Sequence, residues 1–96
     1  MHVIAKKRLR EFWALHPDAE APLRAWHQAA RQEEWRNFAD VRERFPHADR
    51  VGKLTVFNVG GNKYRLIAAI HYNRGKVYVR HVLTHAEYDR GDWKEG

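Results

Sequence analysis

Two short glycine turns constrain the fold of this chain more than any other feature. The first is Gly60-Gly61, and the second is Arg74-Gly75. Both pairs are typical of β-hairpin loops, because such loops need positive φ angles that glycine adopts at little cost. The flanking segments are rich in β-branched and aromatic residues, as strands are. The sequence therefore predicts three antiparallel strands within residues 54–84, followed by a short polar segment that reaches Asp89.

The length of each loop determines which residues face each other across the strands. If each loop has two residues, Asn58 lies beside Lys63 and Val56 lies beside Arg65. One face is then mostly apolar, and we expect it to pack against helices. The residues predicted on this face are Leu66, Ala68, Ile70, Tyr72, Val77, Val79, His81 and Leu83. The opposite face is predicted to be a concave, basic surface that presents Lys63, Arg65, Ile67, Ala69, His71, Tyr78, Arg80, Val82 and Thr84, with the small Ala69 opposite Arg80.

The first half of the chain begins with a predicted edge strand and a basic helix. Residues 2–4 form the short apolar start that suits an edge strand. The helix has its apolar residues at helical spacing and ends near Leu15, because the residue before Pro17 disfavours the α conformation. Its basic cluster is either a solvated helix face or an arm that contacts phosphates. The members of this cluster are Lys6, Lys7, Arg8 and Arg10.

Two further short helices are predicted before the strands. Asp18 or a neighbour is expected to cap the first of them, whose apolar stripe is Leu23, Trp26 and Ala30. Asn37 is expected to cap the next helix, and Pro46 to end it. We expect Trp35 to pack in the core rather than to stack on a base. Residues 47–53 are predicted to be a polar connection.

The positive charge of the chain is concentrated in the predicted sheet. Residues 50–86 carry seven Lys and Arg residues and not one Asp or Glu. Because the whole chain has a net charge of +6, the remainder is close to neutral. This asymmetry and the pI near 10.0 indicate a polyanionic partner, either a nucleic acid or an anionic surface.

Composition excludes several other classes of protein. With 96 residues, residues 1–96 are expected to form one domain. The sequence has no cysteine, so it has neither disulfides nor a thiolate zinc site. It contains no apolar run long enough for a signal peptide or a transmembrane helix. We therefore expect a cytoplasmic protein with no membrane partner.

Residues in and just beyond the strands have the chemistry that metal-free RNA cleavage requires. That reaction needs a base for the 2′-hydroxyl, cations for the phosphorane and an acid for the leaving 5′ oxygen. Arg65 and Arg80 are the candidate cations, because a guanidinium is always charged and binds phosphate oxygens in pairs. His85 and Tyr88 are the candidate proton-transfer groups. Asp89 would orient His85 or contact a base edge. Each has a purely structural alternative, but together, on one basic face, they favour a site.

The histidines do not predict a metal site. His81 and His85 are four residues apart, but on a strand this spacing does not form a helical ligand pair. The sequence also lacks a His-Glu-x-x-His motif. We expect His81 to be a buried or half-buried histidine that bonds to backbone, and we expect no cofactor.

Several segments resemble the HigB-type toxins of bacterial type II toxin–antitoxin modules, within the RelE-like superfamily. The similarity covers nearly the whole chain, and its most specific parts are the Phe-Asn-Val-Gly-Gly-Asn and Thr-His-x-Glu-Tyr-Asp blocks. The segments that carry it are Met1-His2-Val3-Ile4, Phe45-Pro46, residues 56–62, Arg65, Tyr78-Val79-Arg80 and residues 84–89.

The resemblance implies an α+β fold of the RelE-like type. It would have a short N-terminal strand and two to three helices packed on one face of a mainly antiparallel sheet. It also implies a metal-independent endoribonuclease, an mRNA interferase that cleaves translated mRNA in the ribosomal A site. The partners would be mRNA, the ribosome and a cognate HigA-like helix-turn-helix antitoxin, and the free toxin would be monomeric. Its motif positions match Arg65, Arg80, His85 and Tyr88 as catalytic residues, and Asn58, Asn62, Lys63 and Asp89 as candidates for substrate binding.

Two other functions account for the same charge pattern. A non-catalytic RNA- or ribosome-binding module would use the basic face for phosphate contacts alone. A protein-binding domain would dock an acidic peptide there, and an antitoxin is one such partner. For the two asparagines, a role in shaping the turn is the simpler alternative to RNA contact.

Overall fold

A computed structural model describes residues 1–95 of the chain, with backbone only for Lys6 and Glu95. Within them a helical layer packs on one face of a five-stranded sheet with the order β1-β5-β4-β3-β2. Strand β1 runs parallel to β5, and the other neighbours are antiparallel. The expected α+β class is therefore confirmed. In chain order the elements are β1 (His2–Ile4), α1 (Lys6–Leu15), α2 (Glu20–Gln32), α3 (Phe38–Arg44), β2 (Asp49–Val51), β3 (Leu54–Val59), β4 (Tyr64–His71), β5 (Lys76–Thr84) and α4 (His85–Arg90).

The main core lies between the helices and one face of the sheet. The predicted stripe of α2 is buried as expected, and it packs against the sheet. Trp35 is also buried, and its ring stacks on Phe57 with centroids 6.2 Å apart, which confirms the packing prediction. The largest side chains that are almost fully enclosed in this core are Phe57, Leu23, Leu66, Val41 and Val77.

The helix termini agree with the sequence in one case and differ in another. Asn37 caps α3 as expected, since its Oδ1 accepts a hydrogen bond from the Asp40 amide at 3.0 Å. Asp18 does not cap α2. A short 3₁₀ turn at Pro17–Ala19 places Ala19 at the cap position. Asp18 instead accepts hydrogen bonds from Tyr64 of the sheet and from Lys63, which immediately precedes Tyr64. A partner distant in sequence therefore replaces the local capping role.

The prediction of a polar connection at residues 47–53 is wrong in part. Asp49–Val51 forms the edge strand β2 and pairs with β3 through a turn at Gly52. Three residues are too few to show an alternating pattern, and two of them are exposed charged residues. The strand therefore leaves no signal in the sequence.

The first hairpin has a four-residue loop instead of two. Gly60 and Gly61 do adopt positive φ, but Val59 pairs with Tyr64 and Asn58 pairs with Arg65. The predicted pairs are thus shifted by two residues, which leaves every strand side chain on its predicted face. Lys63 is the exception, because it lies in the loop and not on the strand.

The second hairpin contains a β-bulge that the sequence did not predict. Ala68 pairs with Val79, but Ile67, the residue before Ala68 in β4, pairs with His81 and not with Arg80. Arg80 is the extra residue, and the alternation of β5 is reversed beyond it. The predicted opposition of Ala69 to Arg80 is wrong for a different reason. The loop of this hairpin also has four residues instead of two, so His71 pairs with Lys76 and Ala69 pairs with Tyr78.

The bulge changes the face on which the end of β5 lies. Val82 pairs with Leu66 and packs against the main core, so its predicted position on the basic face is wrong, as is that of Thr84. His81 and Leu83 were predicted on the helix face, and they lie instead on the face that carries Arg65.

The second face of the sheet is not fully open, in contrast to the prediction. Val56, Ile67 and Trp93 form a second small core there, and Tyr88 packs against it. Trp93 belongs to a 3₁₀ turn, Asp92–Glu95, that follows α4. The C-terminal segment therefore covers the middle of this face and leaves the cationic residues at its margins. None of the helices within residues 1–95 is long and apolar enough to cross a membrane.

Candidate active site

Arg65 is a buried cation at the start of β4. Its side chain keeps only 8% of its surface exposed, and its guanidinium is held by three hydrogen bonds. Nη1 donates to the carbonyls of Asn62 (3.3 Å) and Tyr64 (3.1 Å), and Nη2 donates to Asn62 Oδ1 (3.1 Å). Among the described side chains, no carboxylate forms an ion pair with it. A buried charge without a counter-ion is costly, and these three hydrogen bonds offset part of that cost.

Tyr88 lies next to this cation. The Arg65 Cζ atom is 5.5 Å from the centroid of the Tyr88 ring, within the range of a cation–π interaction. The Tyr88 ring also stacks on Trp93, with centroids 5.2 Å apart and planes inclined by 14°. Trp93 Nε1 donates to the Tyr88 carbonyl at 3.0 Å. Tyr88 is therefore held both through its ring and through its backbone.

Trp93 is the residue near the site that sequence reasoning missed. It is 4% exposed, and it lies beyond the Thr-His-x-Glu-Tyr-Asp block in a segment with no periodic pattern. The available signal was an apolar aromatic residue in an otherwise polar C-terminal segment. Such a residue normally needs a surface to cover.

His85 and Asp89 form a pair on α4. The His85 Nδ1 and Asp89 Oδ2 atoms are 3.0 Å apart, one helical turn from each other. This contact occupies Nδ1 and leaves Nε2 as the nitrogen that can exchange a proton with a ligand. The predicted orienting partner of His85 is thus in place, although both side chains are largely exposed.

A capping box fixes the start of α4 and with it the position of His85. Thr84 Oγ1 accepts from the Glu87 amide, and Glu87 Oε1 accepts from the Thr84 amide. The hydrogen bond from the Thr84 backbone lowers the pKa of Glu87, so the acceptor stays ionised. The His85 amide also donates to the Lys63 carbonyl at 3.1 Å. His85 is thereby joined to the same β3–β4 loop that holds Arg65.

Two predicted residues lie elsewhere. Lys63 Nζ is 3.0 Å from Asp18 Oδ2, in an exposed ion pair on the outer side of the loop. Arg80 is exposed at the bulge and borders a shallow depression with Ile4 and Arg8. Since Leu83 is the neighbour of Arg65 in the sheet, Arg80 is three residues, or about 10 Å of strand, further along β5. The structure therefore brings Arg65, Tyr88 and Asn62 into contact. The His85–Asp89 pair lies on α4, which the His85 amide joins to the same loop, whereas the side chains of Lys63 and Arg80 lie elsewhere.

His81 has an unexpected environment at the bulge. It is half-buried, as predicted, but on the face that carries Arg65. Burial makes the largest contribution to lowering the pKa of His81, and the nearby charges of Arg8 and Arg80 lower it further. The neutral imidazole is therefore favoured at physiological pH. Among the described residues, no group of three or more His, Asp or Glu side chains is arranged to hold a metal ion.

The arrangement defines a class of protein: a small α+β protein with a buried arginine beside a tyrosine at one margin of its sheet. Residues 19–91 match the model of a family described as HigB_toxin, RelE-like toxic component of a toxin-antitoxin system. The mRNA interferase HigB of Escherichia coli O6:H1 is 30% identical over 93 residues, which cover 94% of this chain and 90% of that protein. The mRNA interferase HigB of Shigella flexneri is 33% identical over 92 residues, which cover 93% of this chain and 88% of that protein.

The chain therefore belongs to the HigB toxin family, whose members are the toxic components of toxin–antitoxin systems. This confirms the resemblance noted from the sequence. Membership of the family implies an antitoxin as partner.

Proposed function

We propose that this toxin is a metal-independent endoribonuclease that cleaves translated mRNA in the ribosomal A site. The observation that carries the proposal is the guanidinium of Arg65. It is buried, held by three hydrogen bonds, without a carboxylate partner among the described side chains, and next to Tyr88. A pentacoordinate phosphate that gains negative charge in the transition state fits this environment. The relatives named above are mRNA interferases.

The proposed reaction is an attack of the ribose 2′-oxygen on the adjacent phosphorus. The bond from O2′ to phosphorus forms as the bond from phosphorus to O5′ breaks, which gives a 2′,3′-cyclic phosphate and a 5′-hydroxyl. The base receives the proton of the 2′-hydroxyl, and the acid protonates the leaving O5′. His85, through Nε2, and Tyr88 supply these two groups, and Asp89 holds the imidazole in place. Arg65 stabilises the phosphorane.

Four further residues are candidates for supporting roles in this proposal. Asn62 positions the guanidinium of Arg65, and Asn58 lies beside Arg65 in the sheet and faces the substrate. Arg80 remains a candidate for contact with the RNA backbone, at a distance from the reacting phosphate. Lys63 is a weaker candidate, because Asp18 already partly neutralises it.

The proposed partners follow from this activity. A HigA-like antitoxin with a helix-turn-helix domain binds the toxin and blocks it, and the free toxin is a monomer that acts on ribosomes in the cytoplasm. A non-catalytic RNA-binding module is the alternative. It is favoured only by the phosphate-binding charge that both proposals share.

The decisive experiment uses purified toxin with a defined mRNA, both free and on programmed ribosomes, and maps the cuts by primer extension. Free RNA is also tested with EDTA and no magnesium. We expect cuts on ribosomes that Arg65→Ala abolishes, whereas Arg24→Ala on the opposite layer leaves them unchanged. Because Arg65 also holds its loop, Arg65→Lys keeps the charge without the paired donors, and circular dichroism checks each fold.

Other outcomes separate the alternatives. Cleavage of free RNA that survives EDTA would keep the nuclease and remove the ribosome from its mechanism. Salt-sensitive RNA binding without any product would support the binding module. Normal cleavage by folded Arg65 and His85 variants would refute the site.

A further inference from the structure

A groove next to the site has no role in the proposed reaction. It lies between the end of α3 and the β3–β4 loop and has a volume of about 510 Å³. Its lining includes Arg44, Phe45, Pro46, His47, Asn58 and Asn62. Pro46 and His47 are exposed, and Phe45 is half-buried. The groove is therefore an open cleft with aromatic and basic walls.

The chemistry of the groove suits a nucleotide. Its lining contains no acidic residue, and Arg44 is an exposed cation that forms no ion pair with a described carboxylate. The Arg44 guanidinium lies over the Phe45 ring at 5.3 Å, so a flat, positively charged surface forms one wall. The Asn58 and Asn62 amides offer both donors and acceptors, as the edge of a base requires.

The groove is continuous with the surroundings of Arg65. Asn62 lines the groove while its Oδ1 accepts from Arg65 Nη2, which leaves its Nδ2 donors for a ligand. Asn58 lines the groove and is the partner of Arg65 in the sheet. An RNA strand that presents a phosphate to Arg65 consequently has its next nucleotide within reach of this groove.

We propose that the groove binds the mRNA nucleotide adjacent to the cleaved phosphate. Arg44 and His47 contact its phosphate, and the amides of Asn58 and Asn62 read its base. This inference rests on the proposed function, and it assigns to Arg44 and His47 a role in substrate affinity. They do not take part in the chemical step.

The test compares Arg44→Ala, His47→Ala and the double variant with Arg24→Ala, which removes another exposed arginine, from helix α2. The first assay measures kcat and KM on programmed ribosomes. We expect the groove variants to raise KM about 5- to 20-fold and to change kcat less than 3-fold, because uniform binding is lost. The control variant should stay within 2-fold of the wild type in both constants. Arg65→Ala should instead lose kcat.

The second assay measures the affinity of each variant for a short single-stranded RNA with a 2′-O-methyl group at the mapped cut, and for a purified antitoxin. One outcome is that the wild type binds RNA without cleaving it, while the groove variants bind that RNA more weakly than the wild type. This result would support the groove as an RNA-binding site and reject the proposed function. Cleavage and RNA affinity within 2-fold of the wild type would overturn the groove. Loss of antitoxin affinity alone would also overturn it, in favour of a protein ligand.

Discussion

Trp93 offers the most direct test of how the C-terminal segment supports the site. Trp93→Ala removes a side chain that is 4% exposed, together with its hydrogen bond to the Tyr88 carbonyl and its stack on the Tyr88 ring. Loss of a buried tryptophan typically costs about 3–5 kcal/mol. Trp93→Phe keeps a ring for the stack but loses the donor and part of the buried area. We expect about 1–2 kcal/mol for that change, of which about 1 is the hydrogen bond.

These changes are measurable in a domain of this size. A chain of 96 residues has a free energy of unfolding of about 5–14 kcal/mol, so a loss of about 3–5 kcal/mol in Trp93→Ala is a large fraction of it and is readily measured in urea. Cleavage should decrease in the same order, because Tyr88 loses its support and the Arg65 guanidinium loses the ring beside it. Most of the activity should be retained by Trp93→Phe.

The control is Trp13→Ala, which removes a half-buried tryptophan of α1 on the opposite layer. It should lower stability without a change in kcat of the remaining folded protein. If Trp93→Ala left the free energy of unfolding in urea within about 0.5 kcal/mol of the wild type and cleaved at the normal rate, the C-terminal segment would have no role in holding Tyr88.

Three further predictions follow from individual contacts. A hydrogen bond from Tyr64, and to a lesser extent one from Lys63, lowers the pKa of Asp18 below 3.8. The stability from this contact is therefore present above about pH 4 and is lost as the pH falls through the lowered pKa. In acid titrations that follow unfolding, Asp18→Asn should lack this part of the loss of stability. Gly60→Ala and Gly61→Ala should each cost about 1–2 kcal/mol in urea, because φ is 65° and 67°. An added Cβ at Gly60 meets only an ordinary contact at 3.4 Å, so a much larger cost at Gly60 than at Gly61 would contradict this. His85→Ala should lower kcat about 10²- to 10⁴-fold, and Asp89→Ala less, in single-turnover cleavage on ribosomes; equal activity of all three proteins would exclude His85 from proton transfer.

Local sequence signals predicted most of the fold. The glycine pairs marked both hairpins, and Asn37 marked the start of α3, because these residues act within a few positions of themselves. The α2 stripe and the burial of Trp35 followed from helical spacing and aromatic packing. Asp18 was assigned wrongly for the converse reason. Its partners, Lys63 and Tyr64, are more than 40 residues away in the sequence, whereas capping rules consider only residues within one helical turn.

The positions of the two candidate arginines show why a site is harder to predict than a fold. The first hairpin differs from its prediction by two residues, and a shift of two preserves the face, so Arg65 lies where the sequence placed it. The bulge in β5 adds a single residue, which reverses the face of everything beyond it. Arg80 thereby lies at the irregularity itself, beside Ile4 and Arg8.

The bulge also determines what lies next to Arg65. It places Leu83 beside Arg65 in the sheet and adds Leu83 to the apolar patch that Trp93 covers. Were β5 regular beyond Val79, Val82 would lie beside Arg65 in place of Leu83, and α4 would begin from the opposite face. The single extra residue thus links the sheet to the position of Tyr88 and His85. Deletion of Arg80 should therefore disrupt the site more than Arg80→Ala does, whereas a role limited to RNA contact would make the two changes equivalent.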